Sequence, residues 1–133
     1  MKRFSGMIRA FALVMVMVCV LCVNSFAICE TVSVGSGRRT VKLEADGNKA
    51  YNYVTVCNVG KRQSNGTYRY NNVKVGYCIT NKYGTPIYSL SGKLLQANQS
   101  TQVKLGRGEK VTFYLDPCRG GTNVVVSGGA HRI

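Results

Sequence analysis

From Thr31 onward, apolar residues recur at every second position in short runs, and turn residues interrupt each run before a helix could form. This rhythm constrains the fold more than any other feature of the chain. In KVTFYL, Val111, Phe113 and Leu115 alternate with Lys110, Thr112 and Tyr114, the pattern of a strand with one buried and one wet face. VKVGYCIT repeats it, with Val73, Val75, Tyr77 and Ile79 on one face and Lys74, Gly76, Cys78 and Thr80 on the other. Further β-rich runs cover 31–34, 40–44, 50–57, 67–70, 86–90, 100–105 and 122–127, divided by DGN, NKYGTP, SG, AN, GRG and DPCRGG. About eight short strands with turns at close intervals predict an all-β chain folded as a small antiparallel β-sandwich. The closing GGAHRI is expected to fray. An immunoglobulin-like or fibronectin-like architecture is compatible, but the Cys…Trp…Cys signature of immunoglobulin domains is absent because there is no Trp.

The first 27 residues obey a different grammar. MKRFSGMIR carries Lys2, Arg3 and Arg9, an uncharged apolar run follows from Ala10 to Val23, and Ser25-Phe26-Ala27 closes it. A basic region, an apolar region and a small-x-small site make a secretory signal peptide, cleaved after Ala27. The apolar run is short for a membrane span, which needs about 20 residues, so an uncleaved anchor is the lesser alternative. Residues 28–133 are then one secreted, extracellular domain with no transmembrane segment. This reading also disposes of CVLCVNSFAIC, because Cys19 and Cys22 of its C-x-x-C pair leave with the leader.

Removing residues 1–27 takes all four Met and three of the four Phe, leaving Phe113 and all eight Tyr. The core is therefore expected from Val, Leu, Ile and the ring faces of Tyr. Four cysteines remain, Cys29, Cys57, Cys78 and Cys118, and export makes two disulfides the expected use of them, in any of three connectivities. In a simple hairpin closed by KRQSNG, Cys57 and Cys78 would lie about 35 Å apart along the strand. A tight turn at Asn71-Asn72 would bring them closer. The spacings contain no close ligand pair and His131 is the single histidine, so neither a metal nor another cofactor is expected.

Of 18 basic residues, 15 remain after the loss of Lys2, Arg3 and Arg9, against 5 acidic ones, a charge of +10. Such an excess attracts polyanions. The segment GKRQSNGTYRYNN interleaves Lys61, Arg62 and Arg69 with Tyr68 and Tyr70 among amide side chains. Cations of this kind hold phosphate, sulfate or carboxylate, while tyrosine faces pack against sugars or bases. Arg38, Arg39, Lys42 and Lys49 form a second basic run, more simply read as a solvated face. Asn65 and Asn98 head acceptor sequons, usable where the host glycosylates exported chains.

Catalysis finds little material. His131 is near the chain end, and Glu30, Glu44, Asp46, Glu109 and Asp116 belong to no motif. No nucleophile, base and orienting group can be nominated together, so an enzyme is not expected. The expected function is that of a basic, disulfide-stabilised binding module for an anionic surface or polymer, such as a cell-envelope polymer or acidic glycan. Alternatives with the same composition are a small secreted toxin or antimicrobial protein, a basic hydrolase and a structural assembly subunit with a protein partner.

Overall fold

The computed structural model describes residues 27–69 and 71–133. The expected leader falls almost wholly on residues 1–26, outside the described residues. The described residues form no helix and eleven strands: β1 (Ile28–Val34), β2 (Arg39–Ala45), β3 (Tyr51–Asn58), β4 (Lys61–Arg62), β5 (Tyr68–Arg69), β6 (Val73–Thr80), β7 (Pro86–Leu95), β8 (Ser100–Gly106), β9 (Lys110–Pro117), β10 (Thr122–Gly128) and β11 (Ala130–Arg132). All pairings are antiparallel. One sheet has the order β1-β10-β3-β8, a second the order β11-β2-β9-β6-β7, and β4 and β5 form a separate two-stranded ribbon.

The alternation read from the sequence decides which faces meet. Val54 and Val56 of β3, Val124 and Val126 of β10 and Val103 and Leu105 of β8 are buried on one side of the first sheet. Val41 and Leu43 of β2, Val73 and Val75 of β6 and Val111, Phe113 and Leu115 of β9 answer from the second. Together they make one continuous core with Phe113 as its largest fully buried side chain. Tyrosine contributes less than expected. Tyr77 packs against this core, its ring centroid 6.0 Å from that of Phe113, whereas Tyr51, Tyr53, Tyr68, Tyr83 and Tyr88 are exposed. These tyrosines stand on outward positions, so valine and leucine fill the interior.

Three further expectations are corrected. The GGAHRI tail does not fray: Ala130 is fully buried opposite Ala45, and Arg132 Nη1 donates to Glu30 Oε1 at 2.6 Å. Ser91-Gly92 does not end a strand, because β7 runs through it with a register shift against β6. Gly76 faces that shift, and a Cβ there would stand 2.9 Å from the Ser91 carbonyl oxygen. The two disulfides are also absent, since Cys57, Cys78 and Cys118 are free thiols. Any two-bridge pairing of the four cysteines needs all of them. The cause is geometric. Cys57 alternates with buried Val56 and Asn58 and so points off the outer face of the first sheet, while Cys78 points off the outer face of the second. Packed sheets lie about 10 Å apart, with the core between them, and Cys118 is exposed in the loop after β9.

Candidate functional site

Strand register collects four connections at one end of the molecule. Val34 pairs with Thr122, Asn58 with Val124 and Cys57 with Ser100, so the segments 35–38, 59–72, 96–99 and 118–121 all emerge there. Asn58 ties them together. It is fully buried, and its Nδ2 donates to the carbonyls of Asn71 (2.7 Å) and Leu95 (3.1 Å). Its Oδ1 accepts from Thr122 Oγ1 (2.7 Å) and the Gly60 amide (3.3 Å). Asn71 Nδ2 in turn donates to the Gly121 carbonyl at 2.8 Å, and the Cys118 amide donates to the Asn72 carbonyl at 3.3 Å. A buried amide with all four positions used fixes direction as well as stability.

From this base the β4–β5 ribbon projects. Lys61 stands directly opposite Arg69, and Arg62 opposite Tyr68. The tip satisfies itself: the Gln63 amide donates to the Thr67 carbonyl at 2.7 Å, Gly66 takes a φ of 85°, and Thr67 Oγ1 donates to Asn65 Oδ1 at 2.6 Å. Lys61, Arg62, Gln63, Ser64, Asn65 and Arg69 surround an open concavity of about 410 Å³. Like charges directly opposite on paired strands repel, and no carboxylate relieves them here. Among the described residues the ion pairs are Arg38–Asp116 and Arg132–Glu30, and Glu44 lies beside the His131 ring. The two other acids serve amides elsewhere, Asp46 that of Asn48 and Glu109 that of Gly106.

A second concavity of about 390 Å³ adjoins it, lined by Gly35, Ser36 and the segment 117–121, with Arg119 as its cation. Arg69 connects the two. A Cβ on Gly120 would lie 3.0 Å from Asn71 Nδ2, so glycine here makes room for that amide, and 3.8 Å from Arg69 Nη2, which places the guanidinium against the 118–121 segment. Four cations, Lys61, Arg62, Arg69 and Arg119, thus share one end. The single acid there, Asp116, is held by Arg38 through bonds of 2.8 and 3.0 Å. That hydrogen bonding, more than the carboxylate's charge, raises the Arg38 pKa further above its ordinary value. Arg38 also lies over the Tyr114 ring at 5.2 Å.

Of the residues singled out from the sequence, Lys61, Arg62, Tyr68 and Arg69 come together on the ribbon, and Tyr70 lies outside the described residues. The second basic run is dispersed: Arg38 is neutralised by Asp116, Lys42 is on the outer face of β2 opposite Thr112, and Lys49 is in the connection at the far end. Asn58, Arg119 and the 118–121 segment escaped sequence reading, because only tertiary pairing brings them to the ribbon. Among the described residues no three His, Cys, Asp or Glu side chains gather as metal ligands. His131 Nε2 lies 3.9 Å from Glu44 on the second sheet, away from both concavities.

No family model and no curated protein matches the chain. Among solved structures, part of tripeptidyl peptidase 2 superposes with a TM-score of 0.53 at 7% identity, covering 78% of this chain. The chain spans 10% of that protein's length. The mitogen of Yersinia pseudotuberculosis gives a TM-score of 0.46 at 10% identity, over 79% of this chain and 86% of the mitogen. A periplasmic inhibitor of g-type lysozyme from Aeromonas hydrophila gives 0.39 at 13% identity, over 79% and 86% of the two chains. The first likeness bears on the fold alone, and nothing is argued from the other two.

Proposed function

We propose that this chain is exported under the leader read in residues 1–27 and binds an anionic polymer or surface through the ribbon end. One observation carries the reading: Lys61 and Arg69 oppose each other at the base of an anchored ribbon, beside Arg62, with no carboxylate to neutralise them. A row of oxyanions relieves that repulsion and is held by charge-assisted hydrogen bonds. The continuation to Arg119 through Arg69 gives the site the length of several successive charges, which favours a polymer over a lone ion. The +10 charge left once Lys2, Arg3 and Arg9 depart with the leader draws such a partner in from a distance.

The test is binding to polyphosphate and to a polyuronic acid across a salt series, with Lys61→Ala/Arg62→Ala/Arg69→Ala beside the control Lys49→Ala/Lys82→Ala/Arg107→Ala. The two triples remove equal charge, the second at the opposite end. Binding should fall with salt, and the ribbon triple should flatten the slope of log K against log salt by roughly 2–3, one counterion per lost contact. Equal losses in the two triples would reduce the effect to overall charge and sink the ribbon as a site.

A further inference from the structure

The outer face of the first sheet differs chemically from the rest of the surface. Alternation with buried Asn52, Val54 and Val56 turns Tyr51 and Tyr53 outward side by side on β3, where they are 63% and 49% exposed. Two positions on one strand face stand about 6.8 Å apart. Lys104 of β8 is directly opposite Tyr53, and its Nζ lies 3.9 Å from the centroid of the Tyr51 ring. That contact props the ring by cation–π attraction while most of its surface stays exposed. Gly106, opposite Tyr51, carries no side chain of its own, and the Glu109 carboxylate fills the space over it, 2.7 Å from where a Cβ would stand. The remaining outward positions are mainly hydroxyls and amides, among them Thr55 and Gln102, which pair with each other in register.

Charge excludes two classes of occupant. In a chain with 18 Lys and Arg, Lys104 is the one ionised side chain projecting outward from these four strands, and it is already engaged with an aromatic face. Glu109 reaches the edge of the face to accept the Gly106 amide, so the local charge is balanced and a polyanion gains little. A protein partner would want a larger apolar centre than two tyrosines, Val125 and Cys57 among hydroxyls and amides. What fits is a hydroxyl-rich, uncharged chain with flat C–H surfaces. We infer that Tyr51 and Tyr53 form a stacking platform for a neutral polysaccharide, with Gln102 and Thr55 within reach of its hydroxyls. This site is separate from the ribbon and does not rest on the anion reading.

Affinity electrophoresis of the protein in gels containing a soluble neutral glucan, galactan or xylan tests this. Retardation by at least one of them is expected, undiminished at high salt because no ion pair is involved. Tyr51→Ala and Tyr53→Ala should each weaken it at least ~tenfold, and Tyr51→Phe should retain it because the ring is what stacks. The melting temperatures of all three variants should match the native protein's, which confirms that they are folded independently of any anion binding. Absence of retardation in every gel, retardation lost with salt, or retardation indifferent to both alanine variants would overturn the platform. Loss in Lys61→Ala/Arg62→Ala/Arg69→Ala instead would assign any polysaccharide binding to the ribbon.

Discussion

Asn58 carries more of the site than any charged residue. Its amide supplies the bonds that fasten the ribbon, the β7–β8 connection and the start of β10 to one point. Asn58→Ala strands two carbonyls, a hydroxyl and the Gly60 amide, each costing about 1–3 kcal/mol where it is left buried and before relaxation. A net loss of about 2–4 kcal/mol is expected, read as a fall of roughly 10–20 °C in Tm, with weaker polyanion binding at temperatures where the variant is folded. An unchanged melting curve would remove Asn58 from this role. Tyr77 makes a pH-dependent contribution. Burial first, then the charge of Tyr88 and a hydrogen bond with it, holds the Tyr77 pKa above its ordinary value. The unfolded chain therefore releases this proton first. The contribution is complete below about pH 10 and is lost as the pH climbs through the higher folded-state value. Denaturant titrations above pH 10 should show stability falling faster in the native protein than in Tyr77→Phe, and parallel curves would contradict this.

At the level of strands, alternation was legible wherever both faces had a clear assignment. Val111, Phe113 and Leu115 announced β9, and Val73 to Ile79 announced β6, because a buried face at period two leaves no other register. The failures share a cause. β11 is three residues long, and its burial depends on β2 lying ready beside it. Ser91-Gly92 reads as a turn until the register shift against β6 uses it as an irregularity within one strand. Cysteine count suggested bridges, but strand alternation aimed Cys57 and Cys78 off opposite faces. The chemical consequence is direct: alkylation without reductant should label Cys118 first, because it is exposed. Cys57 should follow slowly, because burial raises its pKa and holds it as the unreactive thiol. Mass spectrometry after unfolding, again without reductant, should find Cys57, Cys78 and Cys118 all modified. Cys57 or Cys78 modified only after reduction would show a bridge and contradict the arrangement.

For the whole molecule, charge is divided between two ends. The ribbon end gathers Lys61, Arg62, Arg69 and Arg119 with Asp116 already engaged, whereas Asp46 and Glu109 lie toward the other. The sequence pointed to the ribbon because cations and tyrosines are interleaved there within one short segment. It could not show Arg119 as a neighbour of Arg69, since fifty residues and a sheet pairing separate them. The outer tyrosine face escaped for a similar reason: tyrosine rings in general were expected to help fill the core, and only the sheet's orientation shows that Tyr51 and Tyr53 face solvent. The most direct measurement is amide chemical-shift mapping during titration with polyphosphate. Binding at the ribbon end predicts shifts confined to residues 60–72 and 118–121, with the segments around Lys49, Lys82 and Arg107 unmoved. Shifts centred on that opposite end, or spread evenly over all exposed lysines and arginines, would contradict it.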